Sequence, residues 1–147
     1  TGLGEAQEAQ SSCLTASQSV RKDFENALPD SLQSRRAASD FEFGFLWSEG
    51  LWDETGEARP RGWILYRYLS GKQTLERLVI PLASGVPTAA PPLPVWQGRG
   101  HVVARHLDRA DFTSLHPNQL SLECHSLVGT HASGTRIRVI PRLWAGP

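Results

Sequence analysis

The chain has no methionine, only two cysteines in 147 residues, and no excess of either charge, because 15 Lys and Arg balance 15 Asp and Glu. Balanced charge leaves no bulk positive field to draw phosphate backbones or anionic lipid, so nucleic acid is not an expected partner. Long apolar runs are missing as well. The longest, such as Leu78 to Ala83, are strand-sized and fall well short of the roughly 20 residues a membrane helix needs. No membrane span is expected. The histidines His101, His106, His116, His125 and His131 contain no His-x-x-x-His pair and no Cys-x-x-Cys companion, so no metal or other cofactor is expected.

Catalytic constellations are scarce too. No Gly-x-Ser-x-Gly elbow occurs. Cys124-His125 is the tempting nucleophile and base, but adjacent residues of a regular strand point to opposite faces. The acids of Trp52-Asp53-Glu54-Thr55-Gly56 and Leu107-Asp108-Arg109-Ala110-Asp111 sit in contexts that resemble turns, where carboxylates commonly serve turns and caps. The chain is therefore expected not to be an enzyme. The absence of methionine even at position 1, with the small, polar opening Thr1-Gly2-Leu3-Gly4-Glu5-Ala6, resembles a mature chain whose leader has been removed, which implies export.

What is present is enough apolar material, 39% of the residues, to close one core but not two, so residues 1–147 are expected to form a single domain. From 8 to 28, Cys13, Ala16, Val20, Phe24 and Ala27 recur at intervals of three and four, which predicts a helix with Ser11 or Ser12 as cap and Pro29 as stop. A short second turn is expected over 31–38. From Asp40 the period changes to two and aromatic and β-branched residues sit between turn signals. Strands are expected over 41–47, 63–69, 75–82, 100–107, 119–127 and 135–143, with turns at 70–73 and 129–134. The expected fold is mostly β, antiparallel sheets forming a sandwich or barrel, with an N-terminal helix.

Leu120, Leu122 and Cys124 alternate inward on one of these strands, so Cys124 should meet the helix that carries Cys13. An even cysteine count at great separation suits one cross-link, and Cys13 and Cys124 are expected to form a disulfide. It would close a loop of about 110 residues, contributing on the order of 4 to 5 kcal/mol in the chain-entropy account. Such a bond needs an oxidising compartment, here the periplasm.

Between the two halves of the β region runs Leu82-Ala83-Ser84-Gly85-Val86-Pro87-Thr88, continued by Ala89-Ala90-Pro91-Pro92-Leu93-Pro94. Its prolines cannot donate to a ladder, and their fixed φ stiffens the segment. A stiff loop over 82–94 loses little entropy on binding, and it is expected to protrude and bind a partner. Trp52, in a Gly-flanked turn, and Trp96, just after the prolines, are further candidate anchors.

In size, expected export, β content and this loop, the chain resembles the periplasmic immunity proteins that protect Gram-negative bacteria from type VI secretion peptidoglycan amidases, in particular the partners of the first amidase effector family. The resemblance rests on general character rather than on a specific motif. It implies a heterodimer with a cognate amidase, a Cys/His enzyme, in which Leu82, Ala83, Ser84, Gly85, Val86, Pro87 and Thr88 enter the cleft. Ser84 and the backbone at Gly85 would then bond the catalytic His while Leu82 and Val86 seal the groove. Two other classes predict different surfaces. An envelope-assembly factor of the pilotin kind would hold a partner helix in an apolar groove between helix and sheet, and a carbohydrate-binding module would array Trp52, Trp96 and Trp144 on one flat face.

Overall fold

The computed structural model describes residues 2–48, 60–82 and 92–142. Helix α1 spans Gly2–Glu25. It begins six residues earlier than the expected start at 8, since Glu5-Ala6-Gln7-Glu8-Ala9-Gln10 is a run of good helix formers that carries the period back to a buried Ala9. Ser11 and Ser12 accordingly lie inside the helix and cap nothing. Ala9, Cys13, Ala16, Val20 and Phe24 form its buried stripe.

The strands are β1 (Gln33–Ala37), β2 (Asp40–Trp47), β3 (Gly62–Leu69), β4 (Thr74–Pro81), β5 (His101–Ala104), β6 (Leu107–His116), β7 (Gln119–Val128) and β8 (His131–Val139). All pairings are antiparallel, with β1 to β5 in sequence order in one sheet and β6 to β8 in a second. The expected mostly β fold with an N-terminal helix is the fold observed.

Two elements differ from expectation. Residues 33–37 form a strand, not a helical turn: this Arg-rich stretch has no apolar face of its own, and pairing with β2 from Gln33↔Gly44 to Ala37↔Asp40 outweighs local preference. Residues 107–116 form β6, where a turn was expected around Asp108 and Asp111. Leu107, Ala110 and Phe112 are buried while Asp108, Arg109 and Asp111 face solvent, with a register shift between Leu107 and Arg109. The turn after β7 is also shorter than expected, with β8 starting at His131.

One buried cluster draws on α1 and on both sheets. Phe43 stacks on Phe112 of the second sheet at 4.5 Å and on Tyr66 at 5.3 Å, and Phe24 of α1 meets Phe45 edge-on at 5.1 Å. The chain passes between sheets at Arg105-His106, where His106 adopts a positive φ of 63° and its carbonyl accepts from the Leu127 N–H. The helix lies on the inner face of β7 and β8, with Ser17 Oγ 2.6 Å from Thr135 Oγ1, and its other flank runs past β5.

Candidate functional site

Strand β3 is buried on both faces. Its outer face holds a second, smaller cluster of Leu46, Trp63 and Leu65, against which Leu28, Leu78, Ile80, Leu82, Leu93 and Trp96 pack. Both described ends of the proline segment thus rest on the chain's own sheet. Leu82 leaves β4 with its N–H donating to the Arg61 carbonyl at 3.2 Å. Where the chain returns, the Leu93 N–H donates to Gln33 Oε1 at 3.0 Å, and Arg35 Nη2 donates to the carbonyls of Leu93, at 2.8 Å, and Pro94. Prolines contribute acceptors without donors, and a guanidinium contributes donors without acceptors, so the pair is chemically matched. Gly44 makes the seat: a Cβ there would stand 2.7 Å from Leu93 Cδ1 and 2.3 Å from Leu65 Cδ2.

Beside this seat the strands line up charges of alternating sign, in the register Arg35↔Glu42↔Arg67↔Glu76. Arg67 reaches Glu76 Oε1 through Nε at 3.2 Å and Nη2 at 2.8 Å, and its guanidinium lies 4.3 Å from the Trp96 ring centroid. Trp96 is thereby folded against its own sheet, over Gly100, and is not an exposed anchor.

The expectation for the loop is corrected at its ends. Leu82 and Leu93 are packing residues of the outer face and do not protrude, because the apolar face of β3 needs a cover, which they supply together with Leu28 and Trp96. Ala83, Ser84, Gly85, Val86, Pro87 and Thr88 lie outside the described residues, as do Trp52, Trp144, Asp53 and Glu54. The flat three-tryptophan face therefore rests on Trp96 alone, which is already engaged.

The disulfide expectation is also corrected. Helix and sheet meet where the alternation placed them, but Cys13 and Cys124 are both free and buried. The Cys13 thiol donates to Ser126 Oγ at 3.1 Å and approaches the Cys124 carbonyl at 3.6 Å, so it faces the β7 backbone and not the second sulfur. Burial pushes the Cys124 thiol up to about 12, which leaves a neutral, unreactive group at neutral pH. His125 points to the opposite face, with Nε2 2.7 Å from Arg109 and 3.0 Å from Glu123.

A third feature was not anticipated. Along one flank of α1, Glu8, Ser12, Thr15, Ser19, Lys22 and Asn26 recur at intervals of four and three, a polar stripe beside the apolar one. It faces β5 across two adjoining clefts of about 630 and 310 Å³, which share Thr15 and Val103. At the floor of the larger, Asp23 accepts from Arg77 Nε at 2.7 Å and Nη2 at 3.1 Å and from the Tyr66 hydroxyl, which lies 2.7 Å from Ser19 Oγ. Burial, then the Asp23 charge, raises the Tyr66 phenol far above its ordinary range, and the Asp23 hydrogen bond raises Arg77. Tyr66 is thus a neutral donor and Arg77 a fixed cation. A groove between helix and sheet exists, but its lining mixes the polar stripe of α1 with Trp47, Val102 and Val103, unlike the wholly apolar trough a pilotin-like capture of a helix requires.

Among the described residues no three His, Cys, Asp or Glu side chains converge as a metal site would need, and no helix is long and apolar enough to cross a membrane. Compared with known proteins, the chain matches no family model, no curated protein and no solved structure.

Proposed function

We propose that the protein is a non-catalytic binding partner of an enzyme, and specifically a periplasmic immunity protein that occludes the cleft of a cognate peptidoglycan amidase with residues 83–91. The observation that carries this proposal is the double tether: Leu82 on one side and Leu93-Pro94 on the other are fastened to one sheet face, the latter by Gln33, Arg35 and the Gly44 seat. A segment fixed at both ends loses less entropy on binding than one free at an end, which favours tight association. Leu82 then serves as an anchor instead of a groove seal, leaving Ser84, Gly85 and Val86 as the contacting residues. Ser84 and the Gly85 backbone bond the amidase's catalytic His, and Val86 excludes water. Protection of the producing cell calls for a nanomolar dissociation constant or better, near 12 kcal/mol.

The test is co-expression in the periplasm with a candidate amidase, read as release of peptidoglycan fragments. The wild-type chain is expected to suppress cleavage. The double variant Ser84→Arg/Val86→Glu is expected to restore it with an unchanged melting temperature. Full inhibition by that variant overturns the proposal, as does failure of the wild-type chain to inhibit any cysteine amidase encoded beside it.

A further inference from the structure

We propose that the outer edge of β8 pairs antiparallel with β8 of a second copy of this chain, so that two three-stranded sheets join into one continuous sheet. β8 ends its sheet and pairs with β7 without a register shift from Leu120↔Val139 to Val128↔His131. The opposite edge, β6, carries shifts at Leu107/Arg109 and Ser114/His116, and such irregularities discourage an added strand. Val128 and His131 flank the short turn Gly129-Thr130, which makes them a hydrogen-bonded pair. Bonded pairs recur at every second residue, so the main chain of His131, Ser133, Thr135, Ile137 and Val139 faces β7. The N–H and C=O groups of Ala132, Gly134, Arg136 and Arg138 point outward and have no main-chain partner among the described residues. α1 lies on the inner face of this strand, yet His131, Ser133 and Thr135 stay partly exposed, so the helix does not close the edge.

The edge is complementary to itself. With a two-fold axis at Thr135, Ala132 faces the second copy's Arg138 and Gly134 faces its Arg136, and symmetry repeats both pairs. Each pair exchanges two N–H···O=C bonds, and every arginine meets a residue with little or no side chain. Shifting the copy by two residues one way sets Arg136 against itself. Shifting it the other way carries Arg138 past the strand, opposite Thr130. Edge charges that ordinarily discourage pairing thus select one register. Within its own sheet Arg136 stands opposite Glu123, which answers its charge.

Exposed apolar side chains mark the same edge. Among the described residues the large ones are Leu3, Leu14, Leu127 and Ile140, all around this edge, with only Val79 and Val95 elsewhere. On α1, Leu3, Gln10, Leu14, Ser17 and Arg21 recur at intervals of seven, four, three and four. This stripe lies on the β8 side of the helix, because Ser17 Oγ bonds Thr135 Oγ1. An axis at Thr135 therefore brings Leu14 toward its own copy. Leu127 stands beside Ala132 on the outer face, where the aliphatic stem of the second copy's Arg138 covers it.

The test is sedimentation of the full chain from micromolar to millimolar concentration, with amide hydrogen exchange at both ends of that range. A reversible dimer is expected, and its formation should slow exchange of the Ala132, Gly134, Arg136 and Arg138 amides but not of residues 33–37 or 101–104 at the other sheet's edges. Ala132 is exposed and meets Arg138 twice in the dimer. Ala132→Glu is expected to tighten the dimer about fivefold and Ala132→Arg to loosen it about fivefold, both with the melting temperature of the dilute protein unchanged. The proposal is overturned by a chain that stays monomeric at millimolar concentration, by protection at 33–37 or 101–104 instead, or by equal dimerisation of the two Ala132 variants. It does not rest on the loop: Ser84→Arg/Val86→Glu is expected to dimerise as wild type does, so failure of either proposal leaves the other standing.

Discussion

On its inner face the five-stranded sheet presents Phe41, Phe43, Phe45, Tyr66 and Tyr68, each 2% exposed or less, whereas on its outer face the same strands carry Leu46, Trp63 and Leu65 beside Glu42, Arg67 and Glu76. The inner face is covered by α1 and a whole second sheet; the outer face, by Leu28 and by a short return of chain at 92–100. Stability is thus concentrated on one side, while the other side holds a segment through a few separable contacts. A protein that must present a loop without risking its fold benefits from that division.

The division breaks most visibly at Phe43. Phe43→Ala removes a ring stacked on both Phe112 and Tyr66 and is expected to cost about 3–5 kcal/mol, read as a lower urea midpoint at constant slope. The same variant exposes the thiols. With Cys13 and Cys124 buried and Cys124 held near 12, iodoacetamide at pH 8 is expected to label them only through unfolding. Phe43→Ala should then speed labelling by about two to four powers of ten, since 1.36 kcal/mol corresponds to tenfold. A thiol titration in denaturant without reductant is expected to count two free thiols; a count of zero would restore the cross-link.

The outer face should yield smaller effects. Gly44→Ala forces Leu65 and Leu93 to give way and is expected to cost about 1–3 kcal/mol. Arg35→Ala removes the donors that hold the Leu93 and Pro94 carbonyls and should cost about 1 kcal/mol. It should nevertheless accelerate exchange of the Leu93 amide and, under the proposed function, weaken amidase inhibition at least tenfold. Loss of stability without loss of inhibition would show that the tether serves the fold alone.

How far the sequence reveals this design depends on the range of the interaction. Local periodicity marks α1 through Ala9, Cys13, Ala16, Val20 and Phe24, and alternation marks β2, β3 and the inward Leu120, Leu122 and Cys124. Strands β1 and β6 hide because each is an edge strand whose solvent-facing Arg or Asp residues imitate a turn. The cysteines show the same limit more finely, since periodicity brings two residues to one interface yet does not aim their Cβ vectors at each other. The proline segment is visible as composition, but its clamp is not, because Arg35 stands 58 residues before Leu93. The polar stripe of α1 was legible at the same spacing as the apolar one, yet its meaning depends on β5 lying opposite, which only the fold supplies.

The smallest expected effect concerns Asp40, at the start of β2, where the sheet's edge turn meets the β3–β4 hairpin. Its Oδ1 accepts from the Ser70 N–H at 2.8 Å and from Ser70 Oγ at 2.7 Å, and these bonds, the hydroxyl's first, hold the carboxyl below its ordinary value of 3.8. A depressed folded-state value means that the contribution is complete above the unfolded value and disappears as pH falls through the folded one. Ser70→Ala removes the larger of the two bonds and keeps the backbone donor. The melting temperature of Ser70→Ala should therefore lie slightly below that of wild type at pH 7, with the gap narrowing below about pH 4 and closing once Asp40 is protonated in both proteins. A gap that persisted unchanged to pH 2 would assign the effect to the hydroxyl's packing, and the carboxylate would then have no part in joining the two hairpins.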